Sequence, residues 1–256
     1  MNAPAILRNS DLGNDAVWQA RVDLAACFRM AALTGLHEGV CNHLSFMVPG
    51  RDDLFLVNPD GWSFAEITAS RLLICDFNRN VIAGDGTPED TAFYIHARVH
   101  MRLSRARAVF HTHMPNATAL AMVDGPPLLR ASQSSLKFLG RTVVDEEYGG
   151  LALDEAEGDR IAAAIGEADI VFMKHHGIMV LAPTVAKAWD DLYYLERACE
   201  VQRLAQASGR PLTPIPLAVA ERTAARMRQG GARNSAGLHL ESIKRRLDRL
   251  APEYRQ

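Results

Sequence analysis

The sequence predicts an α/β protein in which one mixed sheet is covered by helices. Three observations carry that prediction. Short apolar runs of strand character alternate with longer segments of helical period. Several runs lie only a turn apart, close enough for antiparallel pairing. No low-complexity linker or internal repeat divides the 256 residues. That length suits one large domain or two small ones. A hydrophobic content of 48% with 23% charged residues is ordinary for a soluble globular chain.

The elements follow in order. Residues 15–35 (DAVWQARVDLAACFRMAALTG) have helical period, and Gly35 is a natural stop. Residues 41–48 and 53–57 read as strands around the turn PGRD. NPDG at 58–61 is a strong turn signal, a strand follows at 72–77, and VIAG closes the unit. Residues 88–104 read as a helix with Pro88 in its first turn and Thr87 as its cap. AVFHTH (108–113) is a strand, and PNATALAMV opens the next helix. Residues 154–166 form a helix capped by Asp154. DIVFMKHHGIMVLA (169–182) is a buried strand pair broken at Gly177. Residues 185–208 form a long amphipathic helix ended by Gly209 and Pro211, and 210–256 is a helical extension.

Charge and cysteine usage narrow the function classes. A net charge of −2 implies no strong attraction to nucleic acid or to an anionic membrane. The local basic run Lys244, Arg245, Arg246, Arg249 is broken by acids and reads as a solvated helix face. The four cysteines are scattered and never form CxxC, which favours reduced thiols and argues against a structural zinc cluster. No run approaches the roughly 20 apolar residues that span a bilayer. MNAPAILRNSDLGND lacks the pattern of a secretory leader. The expectation is a soluble, cytoplasmic protein.

The histidines carry the chemistry. Residues i and i+2 of a strand point to one face. His111 and His113 therefore project together at the end of their strand, just before Pro115, and two such imidazoles can chelate one divalent cation. A third ligand must come from elsewhere. His175 and His176 end another apolar strand beside Gly177, which leaves room there. Three histidines leave a coordination position open, the arrangement of a catalytic metal site rather than a closed structural one.

Taken in order, these motifs resemble the class II aldolase/adducin head family. The matching stretches are GLHEGVCNHLSFMVPG (35–50), FLVNPDGWSFAEITASRLLICD (55–76), YIHARVHMRLSRARAVFHTHMPNATAL (94–120), EEYGG (146–150) and KHHGIMVLAPTVAKAWDDLYYLERACEVQ (174–202). They cover roughly residues 18–205 of a single domain. The resemblance implies a three-layer α/β/α domain with a central, mainly antiparallel mixed sheet. It implies one divalent metal ion per subunit, zinc first with manganese, iron or cobalt possible, held by His111, His113 and His176. It also implies a homo-oligomer, a tetramer by family habit, acting on a small molecule. In the family's sugar-phosphate aldolases the metal is a Lewis acid for the carbonyl beside the cleaved carbon–carbon bond, and the same electron sink suits decarboxylation.

Departures from the family pattern bear on substrate. The family's catalytic Glu stands four residues before the histidine that is His96 here, and Ala92 occupies that place. His96 and Glu89 are the candidate proton carriers; Glu89 has a plain alternative as a carboxylate favoured by the helix dipole. In the phosphate loops Asn42 and Gly61 persist, while Asp60, Asp90 and Thr91 replace serines. Carboxylates facing a phosphate dianion repel it, so a non-phosphorylated substrate is expected. Ser132 falls where the aldolases carry a tyrosine. Arg130 is placed to grip a substrate carboxylate. Three readings follow. The first is a metal-dependent lyase on a small hydroxy or aromatic carboxylate, decarboxylation slightly ahead of retro-aldol cleavage. The second is an Fe(II)-dependent oxygenase, and the third an adducin-like interaction module without catalysis.

Overall fold

The computed structural model describes residues 12–229 and 234–256. The N-terminal stretch read for a leader lies outside these residues as far as position 11. Helix α1 (Asp15–Thr34) is capped by the Asn14 side chain, which accepts from Val17 N at 2.9 Å, and ends at Gly35 with φ 69°. Strands β1 (His43–Met47), β2 (Leu54–Val57), β3 (Leu73–Asp76) and β4 (Val81–Ala83) form a meander. Then come α2 (Asp90–Arg102), β5 (Ala108–Thr112), α3 (Pro115–Ala121), β6 (Thr142–Asp145) and α4 (Glu155–Ile165). They are followed by β7 (Ile170–Met173), β8 (Gly177–Ala182), α5 (Val185–Gln206), α6 (Leu217–Gln229) and α7 (Ser235–Leu250).

The eight strands make one sheet in the order β4-β3-β2-β1-β5-β8-β7-β6. Neighbours are antiparallel except β6 and β7. Alternation along each strand feeds two cores. Leu44, Phe110, Val180 and Phe172 pack with α1 and α5, around Phe28 and Trp189. Val109, Met179 and Val171 face the other way, against Ile95 and Val99 of α2 and Ile161 and Ile165 of α4. The layers are therefore helix, sheet, helix. Full burial of one large apolar side chain such as Phe110 is worth about 1.5–3 kcal/mol, so β5 is among the best-anchored strands, and the histidines ride on it.

Three expectations need correction. Thr87 does not cap α2; Glu89 does, its carboxylate accepting from Ala92 N at 2.8 Å and from the Thr91 hydroxyl at 2.5 Å. Strand β6 is an element the sequence reading left out. The basic C-terminal run is only partly a solvated face. Lys244 is buried and reaches Asp23 at 2.9 Å, while Leu240, Ile243 and Leu247 join the main core. The chain end is tied in as well: Tyr254 is fully buried, and Ala69 N and Ser70 N donate to Tyr254 O and Gln256 O. Among the described residues no helix is long and apolar enough to cross a membrane.

Candidate metal centre

Strand β5 delivers His111 at its end, and Pro115 starts α3 immediately after, so His113 stands where the chain leaves the sheet. Across the sheet, the β7–β8 connection turns on His175, whose φ of 59° places it in the left-handed region and brings His176 back toward β5. One ring nitrogen from each of His111, His113 and His176 lies within 4.8 Å of the others. His175 is not part of this group.

The hydrogen bonds fix which nitrogens face inward. His111 Nδ1 is 3.0 Å from Ile178 O, and a carbonyl only accepts, so Nδ1 carries the hydrogen. His113 Nδ1 is 2.6 Å from the Glu38 carboxylate and donates to it. With both rings neutral, both Nε2 atoms hold bare lone pairs, 3.2 Å apart. Lone pairs so placed repel unless a cation sits between them. Two nitrogens bound to a tetrahedral ion at about 2.0–2.1 Å are separated by roughly 3.4 Å. The donor set therefore fits a divalent metal, and Glu38–His113 supplies the carboxylate behind a ligating imidazole that such sites use. Burial, reinforced by the neighbouring rings, holds His111 well below the usual imidazole range and His176 at about 4. Neutral imidazoles are the form that ligates.

Gly177 makes the approach possible. A Cβ there would lie 2.6 Å from His113 Cδ2, 2.9 Å from Thr112 O and 3.4 Å from His111 Cε1. Beside His176 lies a small open cleft whose lining includes Asp145, Tyr148, Arg160 and Lys174. Arg160 is committed to Asp145 and Glu157. Lys174 Nζ meets the exposed Glu146 and Asp124, at 3.3 and 3.7 Å, and donates to Val123 O at 3.5 Å.

The remaining predicted site residues are placed differently. Asn42 is buried, and its side-chain oxygen accepts from Glu38 N and His113 N, so it clamps the metal-site loop. Asp60 and Gly61 lie exposed in the 58–61 turn, where Asp60 N donates to Thr87 O. Asp90 pairs with Arg79, and the Thr91 hydroxyl donates to Glu89, whose carboxylate is occupied in capping. Arg130 is exposed and donates from Nε to Ile215 O at 3.0 Å, fastening the segment before α6. His96 is fully buried with both nitrogens engaged, by His43 and Ser45. His43, not His96, is the ring beside the triad, stacked on His111 with centroids 4.9 Å apart. Sequence reasoning missed Glu38, His43, Ser45 and His100. All four lie in stretches already marked by the family resemblance, 35–50 and 94–120.

The sequence profile described as Class II Aldolase and Adducin N-terminal domain matches residues 22–203. The chain belongs to the class II aldolase and adducin family. A Caulobacter vibrioides protein named as an aldolase class 2 protein is 36% identical over 245 residues, covering 94% of this chain and 93% of that one. The decarboxylase NovR of Streptomyces niveus is 30% identical over 190 residues, covering 73% of this chain and 68% of NovR. The crystal structure of an aldolase II superfamily protein from Pseudomonas syringae superposes with a TM-score of 0.89 at 31% identity, over 97% of this chain and 99% of that one. Within this class II aldolase fold the three layers and the position of the triad at the β5 and β8 ends are one arrangement.

Proposed function

We propose that this chain is a divalent-metal-dependent carbon–carbon lyase for a small, non-phosphorylated hydroxy carboxylate, with decarboxylation ahead of retro-aldol cleavage. The observation that carries this reading is the convergence of two bare Nε2 atoms at 3.2 Å with His176 beside them. A bound divalent ion, zinc first and manganese, iron or cobalt next, supplies Lewis acidity to a substrate carbonyl. His111, His113 and His176 hold it, and Glu38 orients His113. Lys174, in the cleft beside His176, receives the substrate carboxylate. Tyr148, whose ring centroid is 6.4 Å from that of His176, offers its Oη to protonate the carbon left behind. Ala92 is buried and carries no proton, so the helix that precedes the triad supplies no base at that position.

Three supports bear on the substrate and the reaction. Asp60 is an exposed carboxylate in a loop that holds phosphate in the aldolases, which disfavours a phosphate dianion, while the charge of Asp90 is offset by Arg79. The likeness to NovR favours loss of CO2. The metal triad favours an enzyme over an interaction module, which has no use for it. Exposed Met122, Val123, Leu151 and Leu153 offer apolar contact for a homotetramer working in the cytoplasm. The test is elemental analysis of untagged protein purified without chelator, beside a His111→Ala/His113→Ala variant. CO2 release from a panel of hydroxylated 3-oxo acids and hydroxyaromatic acids is measured on the same samples. About one metal per chain, lost in the variant together with CO2 release, supports the reading. Absence of metal, with none taken up on adding zinc, manganese or iron, overturns it.

A further inference from the structure

Behind the triad runs a buried row of polar side chains that the lyase reading does not use. His43 and Ser45 point from β1 to the same side of the sheet as His111. His96 and His100 point at them from α2, one turn apart. The contacts form a single file. His100 Nδ1 is 2.7 Å from Ala106 O, and His100 Nε2 is 2.7 Å from Ser45 Oγ. Ser45 Oγ also meets His96 Nδ1, and His96 Nε2 is 2.8 Å from His43 Nδ1. All four side chains are buried.

One end of the file sets the direction of every bond in it. Ala106 O only accepts, so His100 Nδ1 carries its hydrogen. A neutral His100 then has a lone pair on Nε2, and Ser45 must donate to it. The alternative acceptor for Ser45, Val109 O, lies farther off at 3.4 Å. Having spent its one hydrogen, Ser45 Oγ accepts from His96 Nδ1. His96 Nε2 is then bare and accepts from His43 Nδ1. His43 Nε2 is left with a lone pair on the side of the ring away from His96. His111 of the triad stacks on the face of the same ring, with centroids 4.9 Å apart. No described residue hydrogen-bonds to His43 Nε2. Burial, which disfavours a charged imidazole, keeps His96 and His100 neutral, His100 held down to about 4.

We propose that His43 is a specificity-determining residue, an obligate hydrogen-bond acceptor fixed by the one-way chain Ala106–His100–Ser45–His96–His43, which selects substrates presenting a hydroxyl hydrogen beside the triad. This rests on the reading of the triad as a substrate-bearing metal centre. Ser45, His96 and His100 act through His43 and are positioning residues. An acceptor-only nitrogen favours a hydroxyl and leaves an ether or a bare anionic oxygen without a partner.

Two measurements on the full-length protein with zinc added test it. The first is a long-range proton–nitrogen correlation spectrum of protein labelled with 15N-histidine, which reads the tautomer of each ring. His43, His96 and His100 are expected with hydrogen on Nδ1. In Ser45→Ala, His100 keeps that tautomer through Ala106 O while His96 and His43 become mixed. The second is calorimetric binding of glycolate and methoxyacetate, which share a carboxylate and differ in the hydroxyl hydrogen. A preference of about tenfold for glycolate is expected, one good hydrogen bond's worth, and His43→Phe abolishes it. Hydrogen on His43 Nε2 in the unsubstituted protein overturns the inference even if the variants fail to fold. So does equal binding, or no binding, of the two acids. Failure to take up zinc, with the tautomers as expected, overturns the lyase reading and the hydroxyl selection but leaves the one-way chain standing.

Discussion

Replacing Gly177 with alanine is the sharpest probe of how the triad is assembled. The added Cβ would stand 2.6 Å from His113 Cδ2, where carbon atoms ordinarily meet at about 3.5–4.0 Å. Roughly 1 Å of movement is required. Thr112 O, at 2.9 Å, cannot yield easily, because Thr112 pairs with Ile178 in the β5–β8 ladder. The His113 ring must therefore move, and it leaves either the Glu38 carboxylate or its place opposite His111. Metal–ligand distances tolerate only about 0.2 Å, so the displacement exceeds the tolerance several-fold. Metal affinity is expected to fall by about 10–100-fold, the scale of losing an outer-shell partner. The metal-free fold is expected to lose about 1–3 kcal/mol by overpacking. Competition with a chromogenic chelator reads the first, and urea unfolding of the metal-free protein reads the second. Unchanged affinity together with an unchanged urea midpoint would refute the argument that this close approach shapes the centre.

Other perturbations separate the roles. Glu38→Gln removes the charge behind His113, and chelator competition should show a metal affinity lower by about tenfold or more. Because Glu38 is exposed, the urea midpoint of the metal-free variant should scarcely change. Arg130→Ala should leave turnover and KM unchanged, since that side chain holds Ile215 O; a raised KM for a carboxylate substrate would restore it to the site. Acidification should unfold the metal-free protein through His100. Burial lowers its folded pKa from 6.5 to about 4. The unfolded chain takes up a proton near pH 6.5 that the folded chain refuses until about pH 4, so stability is full above 6.5 and falls as pH drops through that window. His100 alone withdraws about 3 kcal/mol. Urea titrations at pH 7, 6, 5 and 4 should show the fall, and a slope unchanged in His100→Phe would count against it.

Much of the fold was legible because its strands and helices are long enough to show their period and are bounded by strong signals. Gly35 stops α1, Asp154 caps α4, and β8 opens at Gly177. Strand β6 was not legible. Its run TVVD is short, half-exposed and at the sheet edge, and it pairs in parallel with β7, so no local turn announces it. The cap of α2 was misplaced because Glu89 performs a task more often given to smaller side chains. The amphipathic spacing of Leu240, Ile243 and Leu247 was visible in principle. That their apolar face closes on α1 and α5 of the same chain is a tertiary fact that spacing does not carry.

The two halves of the candidate site differ in the same way. His111 and His113 announce themselves because strand geometry fixes both side chains to one face over three residues, and the family resemblance selects His176. The row behind them is built from two same-face pairs, His43 with Ser45 on a strand and His96 with His100 on a helix. Each pair obeys a period the sequence shows. What the sequence does not show is that α2 crosses β1 so that the pairs interdigitate, nor that Ala106 O stands at the far end. Direction in the chain comes from that carbonyl, which every sequence has at every position. A carboxylate four residues before His96 would have advertised a base, and Ala92 advertised its loss. His43, which meets His96, lies 53 residues from it in the chain and 2.8 Å away in space.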